Sequence, residues 1–369
     1  MLNVRLRKST SSTRYWLANS KIQHLKSNIQ TMFAIFLFAL GAIVGSFLNV
    51  CIWRVPRGES VMEPPSHCPK CDTRLKPLDL VPVVSQVMLR ARCRYCGTKI
   101  SWRYAGIEIL TGVLFALAGI NSDGFAGNWW SGTFSGEATH WVQLAQWLLA
   151  ISCLVVIFWV DYETFLIPMT AALLLGLAAV GAEAIRVFAL GQSVVPLQIA
   201  DVDMLPAPLP QTLVVMVLTA GILWVFRALA SLALRQEAMG FGDIFLTAGI
   251  AANLGWSSTV LTFAFLSVTV GALAGLGMKV PRGARAWLWA RRGARSSTRS
   301  RNARRLFWHA LRKPVPFGPM LAVGAILAML YGAHINTAYM NWANPDVRET
   351  RLDIEHRNVS DSVKLASRS

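Results

Sequence analysis

The chain has 369 residues, of which 54% are hydrophobic and only 15% charged. About a quarter of the residues of a soluble protein are charged. The deficit, with 14 Trp and 17 Phe, excludes an ordinary soluble domain and points to a polytopic membrane protein. The net charge of +17 reads as basic cytoplasmic loops that obey the positive-inside rule, and no nucleic-acid partner is expected.

Taken in order, residues 1–31 carry six Lys or Arg and no acid. Residues 32–53 form the first apolar run, long enough at ~20 residues per span to cross a bilayer. Within it Gly45-Ser46-Phe47-Leu48-Asn49-Val50 places an amide at an unusual depth. Residues 54–103 hold ten Lys or Arg and four acids, and read as a small cytoplasmic domain. Further spans are expected at 104–121, 141–160, 165–190 and 211–232. Glu183 and Arg186 lie one helical turn apart near the far end of the fourth, and Arg227 can snorkel from the end of the fifth. The 35 residues from Ile244 to Met278 carry no charge. They divide at Asn253-Leu254-Gly255-Trp256 into a short segment, 244–252, and a full span, 257–278. Residues 279–314 carry twelve Lys or Arg and no acid, a basic cytoplasmic loop in contact with anionic lipid. The last span is 315–331. A polar tail, 332–369, follows with five basic and five acidic residues and is expected to be disordered.

The expected fold is therefore an all-α polytopic membrane protein of about eight transmembrane helices with a small cytoplasmic four-cysteine zinc-binding domain. Segments 122–140 and 191–210 lack basic residues and fall outside. Asp161 and Asp243 then fall at the cytoplasmic ends of their spans. The basic residues 1–31 conflict with this topology, because they and segment 54–103 flank a single span. Met32 is the candidate native start, the alternative being a basic N-terminus that is translocated anyway, and a tryptic peptide from before Met32 in the native protein would overturn the first.

Cys68-x-x-Cys71 and Cys93-x-x-Cys96 form two knuckles, and four thiolates complete a closed tetrahedron around a structural zinc. Disulfides are disfavoured on a reducing face. His67 is a possible substitute ligand. Cys51 and Cys153 lie inside apolar runs and read as small buried hydrophobes.

Asp161 follows one long apolar span, and Gly240-x-Gly242-Asp243 follows another. A lone aspartate at a helix end reads first as a cap. Two on one membrane face can meet in a bundle. Like charges that close cannot both ionise, so they share a proton; one carboxylate activates water while the other protonates a carbonyl oxygen. The glycines allow close approach where a substrate strand docks.

From about Met32 to Tyr331 the chain resembles the type IV prepilin leader peptidases, bifunctional membrane enzymes that also N-methylate their product. The resemblance is carried by Gly45-Ser46-Phe47-Leu48-Asn49-Val50 with Arg54 and Pro56, Cys68-Pro69-x-Cys71, and Cys93-Arg94-Tyr95-Cys96-Gly97. It continues through Ile100-Ser101-Trp102-Arg103-Tyr104 with Glu108, Asp161 with Pro168, Gly240-x-Gly242-Asp243, and Pro316-Phe317-Gly318-Pro319. It implies catalytic aspartates at Asp161 and Asp243, with Gly240 and Gly242 supporting the second. It also implies a cytoplasmic zinc domain, S-adenosylmethionine as methyl donor, prepilin or pseudopilin substrates, and a bundle in a bacterial inner membrane, in contact with lipid. The cut falls after a glycine where a basic leader meets an apolar helix.

The chain departs from that pattern at several positions. Thr164 and Met169 replace polar groups near the first aspartate, and Phe245 replaces a lysine after the second. Ala91 stands where the family usually has glycine, and Gln86 where it commonly has tryptophan. Ala91 weighs against methyl transfer while leaving the protease chemistry intact. The alternative reading is a catalytically silent, zinc-bearing scaffold of a pilus or secretion assembly.

Overall fold

The computed structural model describes residues 2–121, 134–191, 198–199, 202–203, 211–235, 237, 239–255, 258–292 and 316–343. Among the described residues the α-helices are α1 (Leu2–Arg54), α2 (Val84–Met88), α3 (Arg103–Asn121), α4 (Phe134–Thr164) and α5 (Met169–Ala184), then α6 (Gln211–Leu234), α7 (Phe241–Leu254), α8 (Ser258–Arg292) and α9 (Gly318–Ala343). The only β-structure among them is a pair of two-residue antiparallel strands, with Gln198 opposite Asp203. Among the described residues seven helices are long and apolar enough to cross a membrane, and the 14-residue α7 is a shorter apolar one. The chain is thus a nearly all-helical, multi-pass membrane protein.

Local chemistry sets the boundaries. Helix α4 ends where Phe165 turns to φ 58°, its N–H bonded to the Asp161 carbonyl at 2.9 Å. This is the left-handed C-cap that usually falls to glycine. Pro168 then caps α5, its carbonyl accepting the N–H groups of Ala171 and Ala172. Helix α7 stops at Leu254 because Gly255 takes φ 71°, at the break expected from the sequence; Trp256 lies outside the described residues. Two helices overrun their expected ends. Helix α8 continues to Arg292, and α9 continues past Tyr331 to Ala343. Two polar residues of the α9 overrun have partners: the Thr262 hydroxyl bonds Asn336 Oδ1, and the Thr337 hydroxyl bonds the Ala333 carbonyl. The expected loop 122–140 from 122 to 133, most of 191–210, the basic segment from 293 to 315 and the tail from 344 lie outside the described residues.

The chain divides into two units. One comprises Met1–Asn253 with Lys313–Val323, and the other Leu254–Arg312 with Gly324–Ser369. In the first, α1 and α3 pack through glycines. A Cβ on Gly41 would lie 2.7 Å from the Thr111 carbonyl oxygen, and one on Gly45 2.8 Å from Glu108 Cα. Gly41-x-x-x-Gly45 is the small-residue spacing that lets membrane helices approach backbone to backbone. Asn49, one turn further, donates from Nδ2 to the carbonyls of Gly45 and Tyr104, so the deep amide noted in the sequence ties α1 to α3. In the second unit, α8 and α9 approach as closely: a Cβ on Gly324 would lie 2.9 Å from Ser267 Cα.

Gly41→Ala is expected to destabilise the protein by roughly 1–3 kcal/mol, the usual cost of overpacking. A thermal melt in detergent that matches wild type would show that α1 and α3 can part without penalty.

Candidate active site and metal centre

The cysteine domain is built on a local repeat. In the first knuckle the Cys68 N–H bonds the Thr73 carbonyl, the Asp72 N–H bonds the Cys68 carbonyl, and the Leu75 N–H bonds the Ser66 carbonyl. In the second, Cys93 bonds Thr98, Gly97 bonds Cys93, and Ile100 bonds Ala91 through the same three contacts. The fifth residue of each turn, Asp72 or Gly97, has a positive φ of 56° or 67°. Each knuckle therefore folds its two thiols inward with the same backbone geometry.

All four ligand sulfurs lie within 4.8 Å of one another, and Cys68 Sγ is 3.9 Å from Cys96 Sγ. Zn–S bonds of ≈2.3 Å in a tetrahedron require sulfurs about 3.8 Å apart, so the cluster can hold such an ion. Hydrogen bonds from the Thr73 side chain and backbone pull the Cys71 thiol down to about 6. Backbone N–H groups of Cys96 and Tyr95 lower that of Cys93. Both shifts favour the thiolate that a metal needs. His67 is not among the ligands: its ring faces Asp72 and the Pro65 carbonyl.

Side chains fasten this domain to the helices. Burial works against the Asp79 carboxylate, but the Tyr95 hydroxyl, the Lys76 N–H and the Arg94 guanidinium hold its pKa below the usual range. The second knuckle is thereby tied to the linker before α2. Glu108 of α3 accepts the Val83 N–H at 2.7 Å, and Val83 is held at φ 62°. A β-branched residue there is a genuine outlier. Gln86 is buried and donates to the Ser101 carbonyl at 2.7 Å. Ala91 lies at φ 52° and is 5% exposed. An L-residue in the left-handed region costs roughly 1–2 kcal/mol, which is a physical reason for glycine at this position. Arg103, at the start of α3, pairs with Glu163 in the last turn of α4.

The aspartates are brought together by helix ends. Asp161 sits in the last turn of α4 and is 4% exposed. Asp243 sits in the first turn of α7, where its carboxylate accepts the Gly240 N–H. This is half of a capping box, so the cap reading of this residue is also correct. The two carboxylates interact electrostatically. Three contacts make the approach possible. A Cβ on Gly242 would lie 2.9 Å from Ile167 Cβ, so glycine lets the turn after α4 rest against the start of α7. Arg227 does not simply snorkel; its Nε donates to the Met239 carbonyl at 2.8 Å and its guanidinium lies 4.1 Å from the Phe241 ring centroid, which fixes the entry to α7. Gly318, at the head of α9, donates its N–H to the Asp161 carboxylate, and a Cβ there would lie 2.7 Å from Asp161 Oδ2. That Oδ2 is buried without a hydrogen-bond partner. Phe245, two residues past Asp243, is 43% exposed and turned to another face of α7. Arg227 and Gly318 were missed as site residues. Pro316-Phe317-Gly318-Pro319 was a sequence signal for the second, whereas nothing local marked the first.

Comparison with known proteins shows what the chain is similar to. Residues 39–122 match the Bacterial Peptidase A24 N-terminal domain, and residues 148–276 match the Type IV leader peptidase family. Curated relatives carry the name Prepilin leader peptidase/N-methyltransferase. One from Myxococcus xanthus (strain DK1622) is 32% identical over 68% of this chain and 65% of its own length. One from Dickeya chrysanthemi is 31% identical over 80% of this chain and 91% of its own. One from Bacillus subtilis (strain 168) is 30% identical over 83% and 98%. No solved structure matches the chain.

Elemental analysis of purified protein is expected to find about one metal ion per chain, lost in Cys93→Ser. Equal metal content in that variant would exclude the four-cysteine cluster as its site.

Proposed function

The chain belongs to the type IV leader peptidase family, and we propose that it is a membrane-embedded aspartyl endopeptidase that removes the basic leader of type IV prepilins or pseudopilins. The observation that carries this reading is a buried Asp161 with an unpartnered oxygen, within electrostatic reach of Asp243 at the meeting of two helix ends. One carboxylate of the pair takes a proton from water as the water oxygen attacks the scissile carbonyl carbon. The other gives its proton to the carbonyl oxygen. Collapse of the tetrahedral intermediate breaks the C–N bond: the first carboxyl gives its proton to the leaving amine, a hydroxyl of the intermediate gives one to the second carboxylate, and the pair again holds a single proton. The Gly318 and Gly240 N–H groups orient the two carboxylates.

In this reading residues 54–103 are a cytoplasmic domain closed around a structural zinc by Cys68, Cys71, Cys93 and Cys96, which organises the fold and does no chemistry. Residues 104–331 form the protease bundle in a bacterial inner membrane, with both aspartates at its cytoplasmic face. There a substrate's apolar helix lies in lipid while its basic leader stays in water. The relatives' names extend the proposal to N-methylation of the new N-terminus. S-adenosylmethionine supplies a methyl group on sulfur to such an amine. Among the described residues no glycine-rich turn leads from a strand into a helix, the usual nucleotide-cofactor cradle, so no step is derived through it.

Asp161→Asn and Asp243→Asn are each expected to lower prepilin cleavage by at least about a thousandfold. The wild-type rate is expected to be bell-shaped in pH, because doubly ionised and doubly protonated pairs are both inactive. Undiminished cleavage by either variant would remove the paired mechanism. Ala91→Gly is expected to relieve backbone strain and to methylate cleaved pilin faster than wild type. Equal methyl incorporation would free Ala91 from that role.

A further inference from the structure

Where the far end of α7 meets the middle of α4 lies a run of half-buried polar contacts that the cleavage chemistry leaves unused. Gln146 of α4, 6% exposed, donates from Nε2 to Asn253 Oδ1 of α7 at 3.2 Å. Arg186, in the turn that follows α5, donates from Nη2 to Gln146 Oε1 at 3.4 Å. Asn253 Nδ2 donates to the carbonyls of Leu175 in α5 and Gly249, each at 2.8 Å. Glu183, one turn before Arg186, bears on its charge and accepts the N–H groups of Gln211 and Thr212 at the head of α6. Every amide atom of Gln146 and Asn253 has a use. The direction is set as well: Arg186 occupies Gln146 Oε1, so Nε2 must face Asn253, and a flipped amide would set donor against donor.

We propose that Gln146 and Asn253 are positioning residues for the two aspartates, their hydrogen bond setting the rotation and axial register of α7 against α4. The proposal rests on the paired-aspartate reading above. Gln146 lies ~22 Å along α4 from Asp161, and Asn253 ~15 Å along α7 from Asp243, at 1.5 Å per residue. A helix as short as α7, 14 residues, turns as one piece, so rotation at Asn253 rotates the carboxylate. Apolar side chains alone tolerate such rolling, because volume and not direction decides their packing. The amide pair does not: a one-residue slip separates donor from acceptor and costs the bond. The chain therefore spends its polar side chains at the end remote from the chemistry and leaves the reacting end free to admit water.

The test compares Gln146→Leu, Asn253→Leu, their double variant, and the exchanged pair Gln146→Asn with Asn253→Gln. It follows cleavage of a prepilin with a basic leader, in detergent, through kcat, KM, the pH–rate profile and the thermal midpoint. Each leucine variant is expected to lower kcat about tenfold, well within what a misplaced reacting group costs. KM should stay within about twofold, and the two pH limbs should move relative to each other as the carboxylate spacing changes. The double variant should be no worse than the poorer single, and the exchanged pair should regain most of the lost kcat. Should Asn253→Leu not accumulate, Gln146→Met removes the amide, keeps the length and carries the same expectation. Wild-type kcat and pH limbs in the leucine variants would overturn the proposal, as would an exchanged pair no better than the double variant. A fall in thermal midpoint with kcat and pH limbs intact would also overturn it, reducing the contact to ordinary packing. If Asp161→Asn and Asp243→Asn still cleave, the paired-aspartate reading fails. If both are inactive while the Gln146 and Asn253 variants behave as wild type, only the positioning role fails.

Discussion

Two carboxylates held together in an apolar bundle resist each other and resist the loss of water. They stay together only where the surrounding backbone forces the approach and offers something in return. Here the force comes from glycine. Gly242 lets Ile167 rest on the first turn of α7, and Gly318 lets the head of α9 reach Asp161 with no side chain between them. The return comes from helix N-termini. Each carboxylate accepts a backbone N–H from one, Asp243 from Gly240 and Asp161 from Gly318, where the helix dipole favours negative charge. One substitution that adds a Cβ at either glycine would act on both terms, by parting the helices and by moving the donor.

The same economy of backbone approach governs α1 and α3. Gly41 and Gly45 bring α1 onto Thr111 and Glu108, and Asn49 crosses to the Tyr104 carbonyl. That contact lies next to the cysteine domain, because Glu108 also holds the Val83 N–H. The domain is therefore joined to the helices by buried hydrogen bonds as well as by chain connectivity. Arg103 and Glu163 carry the join on to α4, two residues beyond Asp161. A change in the cysteine domain thus has a continuous set of contacts through which to reach the first aspartate.

Much of this was legible in the sequence, for reasons that can be named. Apolar runs without charge have one explanation in a chain of this composition, so the spans were found, including the break at Gly255 where φ is positive. Two Cys-x-x-Cys knuckles have few uses, and their sulfurs do gather within 4.8 Å. The resemblance to the prepilin leader peptidases agreed with the family found by comparison. Partners set by tertiary packing were not legible. Arg227 read as a snorkelling residue, and only the fold brings Met239 and Phe241 to it. Polarity beyond Tyr331 read as a tail, because the sequence does not show that Asn336 meets Thr262. Gly318 was visible as a motif, yet its use depends on Asp161 being within 3 Å of where its Cβ would be.

Polar satisfaction divides the bundle into two kinds of end. Where Gln146, Asn253, Arg186 and Glu183 meet, donors and acceptors close on one another. Where the aspartates meet, Asp161 Oδ2 is buried and bonded to nothing. An orphan acceptor in an apolar site is costly, and among the buried unpartnered side-chain atoms of the described residues, Asn49 Oδ1 and Trp159 Nε1 included, Asp161 Oδ2 is the one within electrostatic reach of Asp243. The proposed reaction, which begins with water, gives that oxygen a use. In the proposed mechanism an oxygen with a free lone pair, within electrostatic reach of a second carboxylate, is where a water molecule would be held and deprotonated. The completed network holds the helices still, and the incomplete one leaves a place for the reactant.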